Sequence, residues 1–174
     1  GTGSGAIAIT LAAETECEVI ATDLSHEALK VAHQNAKRHE VADKVAFLEG
    51  NLLKPFFESY NAWSPRSRPA TLLVAANLPY LTGRQWELLD ADVKNYEPQT
   101  ALVGGLDGLE VYDELLMQLA ARRKDLPKAV KVFFEIDPSQ ASTTVALIRH
   151  YFSEAKAEGI RDLSGNWRFV QASL

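Results

Sequence analysis

Thr71-Leu72-Leu73-Val74-Ala75-Ala76 is a short aliphatic run that passes directly into Asn77-Leu78-Pro79-Tyr80. A run of that length and composition predicts a buried strand of a parallel sheet. The strand must stop near Asn77, because Pro79 has no N–H to give to a ladder. A side-chain amide, a free backbone carbonyl and an aromatic ring therefore come together at the carboxyl edge of a sheet. In open α/β sheets that edge is where ligands bind.

Working outward, strands and helices alternate. Upstream, Gly1-Thr2-Gly3-Ser4-Gly5 opens a short helix over 6–13, and Glu18–Asp23 reads as a strand ending on an acid. Ser25 is placed to N-cap a helix that runs to about His39. Residues 44–48 read as the next strand, ending at Gly50-Asn51. Residues 54–69, which hold Pro55, Pro65, Arg66 and Pro69, read as a long connection. Downstream, a helix is predicted from Gln85 to about Val93, with Tyr96-Glu97-Pro98 as its break. Gly104–Gly108 is a tight glycine-rich turn, followed by an amphipathic helix from Leu109 to Arg123 with Leu115, Leu116 and Leu119 on its core side. A strand over Ala129–Ile136, a helix over 139–152 and a final hairpin (154–158 and 168–172, turning at Gly165-Asn166) complete the chain. The alternation predicts a layered α/β domain with a mostly parallel sheet and one antiparallel strand at its tail.

Composition narrows the function classes. A chain of 174 residues, 47% hydrophobic and 24% charged, suffices for one globular domain with its own core. No apolar run reaches the roughly 20 residues of a membrane helix, and no secretory pattern is present. The single cysteine, Cys17, excludes an internal disulfide and a cysteine-based zinc site. A reduced, cytoplasmic setting is expected. His26, His33, His39 and His150 lack metal-ligand spacing, so no metal is expected. A net charge of -5 argues against a phosphate-hugging surface, and no direct nucleic-acid contact is expected. The chain begins at Gly1 inside what reads as a ligand loop, and is expected to be a fragment cut just before it.

A Gly-x-Gly-x-Gly loop lets backbone approach a ligand closely, since glycine has no Cβ, and the helix it opens presents unpaired N–H groups. Asp23 lies roughly 20 residues on, at a strand end where a carboxylate can accept ribose hydroxyls. Asp23 could instead cap the helix that starts near Ser25. The glycines at 1, 3 and 5 are spaced more tightly than a dinucleotide fingerprint. That spacing suits S-adenosylmethionine, which brings no phosphate.

Asn77-Leu78-Pro79-Tyr80 resembles the Asn/Asp-Pro-Pro-Tyr/Phe motif of amino-group methyltransferases. Tyr96-Glu97-Pro98-Gln99-Thr100-Ala101-Leu102-Val103-Gly104-Gly105-Leu106-Asp107-Gly108-Leu109 is similar to the Glu-Pro-x-x-Ala-Leu-x-Gly-Gly-x-Asp-Gly-Leu signature of the HemK/PrmC family, the peptide-chain release factor glutamine methyltransferases. Phe134-Glu135-Ile136 with Gln140, and Arg161–Arg168, resemble later stretches of that family. The resemblance covers essentially the whole chain. It implies a Rossmann-like class I methyltransferase fold, a seven-stranded-type sheet lacking its first strand here. Residues 1–174 would be the catalytic domain, without the helical N-terminal domain that docks the substrate. It implies a monomer that takes a methyl group from S-adenosylmethionine and gives it to the glutamine of a release factor's Gly-Gly-Gln motif. Gly1, Thr2, Gly3, Ser4, Gly5, Asp23, Asn51, Leu52 and Asn77 would hold the cofactor, and Asn77, Leu78, Pro79 and Tyr80 the glutamine. Asp107 would hold the glycine-rich turn together, and Glu135 is either a strand-end site residue or half of a sheet-edge salt bridge. Two positions depart from the family pattern: Leu78 where proline is usual, and Asn51 where an acid commonly sits.

The tetrapeptide offers no strong base, so the implied chemistry rests on orientation. The Asn77 side-chain oxygen and the Leu78 carbonyl would accept the two amide N–H bonds, and Tyr80 would pack its ring on the amide plane. Three rivals share these features. Asn-Leu-Pro-Tyr is also the form found in ribosomal RNA adenine dimethylases; a glutamine methyltransferase acting on a ribosomal protein would differ little; and a truncated domain could bind partners without turnover.

Overall fold

The computed structural model describes residues 1–62 and 69–174. The chain divides into two compact units, Gly1–Arg68 and Pro69–Leu174.

In the first unit, α1 (Ala6–Glu14), β1 (Val19–Asp23), α2 (His26–Arg38), β2 (Val45–Glu49) and α3 (Lys54–Ala62) follow in order. β1 and β2 pair in parallel, from Val19 opposite Val45 to Asp23 opposite Glu49. Ser25 caps α2 as its sequence predicts, its Oγ accepting from the Ala28 N–H at 3.2 Å. The core is built from small and aliphatic side chains: Ala8, Ile9 and Ala12 of α1 pack with Ala21, Ala36, Val41 and Val45, and Val19 and Phe47 close the cluster. Small residues let α1 and α2 approach. A Cβ added at Gly5 would lie 3.0 Å from Ile9 Cδ1 and 3.1 Å from Ala32 Cβ.

The second unit holds β3 (Thr71–Ala76), α4 (Gly83–Leu88), α5 (Ala91–Tyr96), α6 (Gln99–Leu102), α7 (Glu110–Ala121), β4 (Ala129–Glu135), α8 (Ala141–Tyr151), β5 (Lys156–Arg161) and β6 (Trp167–Ser173). Its sheet has the order β3-β4-β6-β5. β4 runs parallel to β3 and antiparallel to β6, and β6 is antiparallel to β5, so β6 alone opposes the others. Alternate residues of β4 are buried (Val130, Val132 and Phe134), as are Val170 and Ala172 opposite them. Tyr112 of α7 packs its ring on Phe134 with centroids 5.0 Å apart, and Leu115, Leu116 and Leu119 continue the buried stripe of that helix. Each large apolar side chain buried this way contributes roughly 1.5–3 kcal/mol.

The architecture is the expected α/β class with one antiparallel strand near its end, but three local expectations need correction. Residues 54–62 are not part of a loop: they form α3, with Pro55 in the first turn, where a missing N–H costs nothing. Pro65 and Arg66 lie outside the described residues. The single helix expected over Gln85–Val93 is instead two, broken at Leu89-Asp90, because Leu89 takes an extended conformation (φ -65°, ψ 151°). β3 has the expected bounds and a parallel partner, but it is an edge strand of its sheet, with only Val74 buried and Leu73 53% exposed. The six strands of the described residues lie in two sheets, of two and four strands.

Candidate active site

The glycine loop of the first unit is shaped by the end of β1. The Thr2 N–H donates to the Thr22 carbonyl at 2.9 Å, and the Gly5 N–H closes the turn on the Thr2 carbonyl at 2.9 Å. Gly3 and Gly5 take left-handed conformations, φ 55° and 84°. Asp23 ties the arrangement together: one carboxylate oxygen accepts the Gly3 N–H at 2.8 Å and the other accepts the Ser25 N–H at 2.8 Å. The two readings of Asp23, ligand contact or helix entry, are thus not exclusive, since a carboxylate has about four acceptor positions and two are used here. From α2, the Asn35 side chain donates to the Ser4 carbonyl at 2.9 Å.

The turn after β2 is fastened to the same strand end. The Gly50 N–H donates to the Asp23 carbonyl at 2.9 Å, and Thr22 Oγ1 donates to the Leu52 carbonyl at 2.7 Å. Leu52 is buried and has a φ of 52°, a left-handed conformation that costs a non-glycine residue about 1–2 kcal/mol. Strain of this kind gathers at ligand sites. Gly1 to Gly5, Asp23, Asn51 and Leu52 therefore converge on one strand end. At Gly3 a Cβ would meet nothing within 4 Å, so the backbone there is open to the approach of a nucleoside cofactor.

In the second unit, Asn77-Leu78-Pro79-Tyr80 leaves the ladder after Ala76 and its backbone is held by side chains. The Leu78 N–H donates to the Tyr112 hydroxyl at 3.0 Å, and that hydroxyl donates to the Glu135 carbonyl at the end of β4. The Tyr80 carbonyl accepts from Gln140 Nε2 at 2.9 Å. Asn77 is exposed, Leu78 buried, and Pro79 and Tyr80 half-buried. Among the described residues, no hydrogen bond engages the Asn77 side chain or the Leu78 carbonyl. Burial pushes the Tyr80 phenol above its ordinary value, with the charge of Glu135 adding to the effect and Arg168 opposing it.

The glycine-rich turn closes on this tetrapeptide. Leu81 and Val103 form an isolated parallel bridge, with the Leu81 N–H on the Leu102 carbonyl and the Gly104 N–H on the Leu81 carbonyl, each at 2.9 Å. A Cβ at Gly104 would fall 2.1 Å from the Pro79 carbonyl oxygen, and one at Gly108 2.1 Å from the Tyr80 carbonyl oxygen. Asp107 braces the turn, accepting the Leu109 N–H at 2.9 Å, while its own carbonyl accepts from Gln140 Nε2 at 3.0 Å. Glu110 reaches back from α7 to accept the Leu106 N–H at 2.9 Å.

Each expected residue thus has a place. The loop, Asp23, Asn51 and Leu52 belong to the first unit; Asn77 to Tyr80, the glycine turn and Gln140 belong to the second. Glu97 and Pro98 are exposed and only flank the short helices α5 and α6. Tyr112, Thr22 and Asn35 escaped the sequence reading, because no local pattern marks a side chain that bonds backbone 20 or more residues away. Among the described residues, no group of three or more His, Cys, Asp or Glu could hold a metal ion, and no helix is long and apolar enough to cross a membrane.

A family model described as a methyltransferase domain matches residues 1–93. The release factor glutamine methyltransferase of Bacillus anthracis is 37% identical over 175 residues, covering 100% of this chain and 57% of that protein. The chain therefore spans little more than half the length of that relative. Among solved structures, a ribosomal protein L11 methylase from Lactobacillus delbrueckii subsp. bulgaricus superposes with a TM-score of 0.60 at 20% identity, over 99% of this chain and 66% of that one. The N-terminal domain of human METTL16 in complex with SAH gives 0.61 at 15%, over 99% and 58%. At such identities these structures establish the fold, that of class I methyltransferases.

Proposed function

Because the chain belongs to the methyltransferase-domain family, we propose that it serves the transfer of a methyl group to the side-chain amide nitrogen of a protein glutamine, the acceptor being the Gly-Gly-Gln glutamine of a peptide-chain release factor. The observation that carries this reading is the pair of open acceptors at Asn77 and Leu78, beside backbone groups that are held from outside. The name of the Bacillus anthracis relative supports the substrate, and the SAH complex of a structural neighbour supports the cofactor.

S-adenosylmethionine would supply a methyl group activated by its sulfonium, and would leave as the neutral thioether when the sulfur–methyl bond breaks. Gly1, Thr2, Gly3, Ser4 and Gly5 would hold it through backbone, Asp23 through its remaining acceptor positions, and Asn51 and Leu52 from the turn after β2. An amide nitrogen is a poor nucleophile, because its lone pair is delocalised into the carbonyl. The Asn77 side-chain oxygen and the Leu78 carbonyl accept its two N–H bonds, which fixes the direction of the lone pair. They also stabilise positive charge that develops on the nitrogen as its new bond forms, an effect larger in the transition state than before it. Orientation of this kind reaches about 7–11 kcal/mol in intramolecular analogues. Tyr80 shields the amide plane from water. Its phenol stays neutral, since burial raises its pKa, and Pro79 stiffens the turn between them. Leu78 acts through its carbonyl, so leucine serves where proline is usual. After transfer, one N–H proton passes to solvent.

The test is a methyl-transfer assay with labelled cofactor, offering in parallel a release factor, its Gln→Ala variant in the Gly-Gly-Gln loop, and ribosomal RNA. Label on the release factor that disappears with Gln→Ala is the expected result. Label on RNA would replace the reading with adenine methylation, and an Asn77→Ala variant with near-full turnover would remove the proposed acceptor.

A further inference from the structure

The tetrapeptide lies beyond the last rung of β3 and contains a proline, so its conformation is not set by its own backbone pairing. The groups that fix it come from two other elements. Tyr112 is fully buried on α7, and its hydroxyl is polarised in one sense: its proton goes to the Glu135 carbonyl, which leaves a lone pair for the Leu78 N–H at 3.0 Å. Gln140 is buried just ahead of α8, and both N–H groups and the oxygen of its amide are engaged. Its Nε2 donates to the carbonyls of Tyr80 at 2.9 Å and Asp107 at 3.0 Å, and its Oε1 accepts the Asp137 N–H at 3.1 Å.

These bonds bracket the tetrapeptide. The peptide plane between Asn77 and Leu78 is set by Tyr112, and the carbonyl of Tyr80 by Gln140. Between them lie the Leu78 carbonyl and, one bond outside the first plane, the Asn77 side chain. The ring of Tyr112 already packs on Phe134, so its hydroxyl is not needed to fill the core. We infer that Tyr112 and Gln140 are positioning residues, which hold the Asn77–Tyr80 backbone so that its two free acceptors point at the acceptor amide. The inference rests on the glutamine reading for the identity of that amide, but the holding of the backbone is independent of it.

The experiment compares Tyr112→Phe and Gln140→Met with the parent chain, and takes Tyr151→Phe as control. Tyr151 makes a similar bond, its hydroxyl donating to Asp113 Oδ1 at 2.9 Å, but away from the tetrapeptide. Two readouts are taken: steady-state methyl transfer to the release factor, and amide hydrogen exchange at Leu78. Tyr112→Phe and Gln140→Met are each expected to lower kcat about 10- to 100-fold with cofactor affinity unchanged, the scale of an ångström-sized misplacement. Leu78 exchange should quicken in Tyr112→Phe alone. Tyr151→Phe should leave both readouts as they are. Equal kcat in Tyr112→Phe and parent, or unchanged Leu78 exchange, overturns the inference. If the parent methylates no glutamine, the functional reading fails, and the exchange result still decides whether the backbone is held.

Discussion

Gly3 and Gly5 both have positive φ, yet alanine should act differently at the two. At Gly3 the added methyl enters open space, so the cost is the left-handed conformation alone, about 1–2 kcal/mol. At Gly5 the same cost is joined by pressure on Ile9 and Ala32, an overpacking term of about 1–3 kcal/mol. Gly3→Ala is expected to fold and to lose cofactor affinity by calorimetry, whereas Gly5→Ala should show the larger drop in Tm. Equal melting of the two variants would refute the close-packing role of Gly5. Tyr112 gives a second residue-scale test. Its burial raises the phenol pKa above the ordinary value of 10.0, so the folded state favours the neutral form. The stability this confers is complete below about pH 10 and is lost as pH rises through the folded value. Tm should therefore fall more between about pH 9 and pH 11 in the parent than in Tyr112→Phe.

At the scale of elements, the glycine-rich turn shows what a motif is for. Gly104 and Gly108 are glycine because the carbonyls of Pro79 and Tyr80 occupy the space a Cβ would need. Gly104→Ala should thus act on the tetrapeptide as well as on the turn, displacing Pro79 and pressing on the Gly108 carbonyl. We expect a loss of about 1–3 kcal/mol in stability together with a collapse of methyl transfer, read by thermal melts and single-turnover assays. Intact transfer would mean that the turn does not shape the site. Much of this scale was legible in the sequence. Ser25 and the helix it caps, the helix after the glycine-rich turn and the bounds of β3 are all readable, because capping and hydrophobic periodicity are local. Other features were not. Pro55 reads in sequence like one more loop proline, although a proline in a first turn is compatible with a helix. The aliphatic run of β3 specified a strand but not its neighbours, so its edge position could not be read. Nothing local marks Tyr112, because its partner Leu78 lies 34 residues away.

For the molecule as a whole, charge separates the proposed substrate from its nearest rival. A protein that tracks nucleic acid neutralises phosphates, and its affinity falls steeply with salt. This chain carries a net charge of -5. Ribosomal RNA at low salt is therefore expected neither to compete with the release factor nor to take label; salt-sensitive RNA binding in a filter assay would point to adenine methylation. The reach of the Gln140 bond has a further consequence, for the chain as it is made. Gln140 lies 60 residues after Tyr80, and at roughly 5–20 residues per second it leaves the ribosome about 3–12 s later. Over that interval a nascent chain already displays its glycine loop and its tetrapeptide, but not the side chain that fastens Tyr80. The fastening of Tyr80 is thus acquired only once Gln140 has emerged, and a chain halted before Gln140 would carry the motif without the grip.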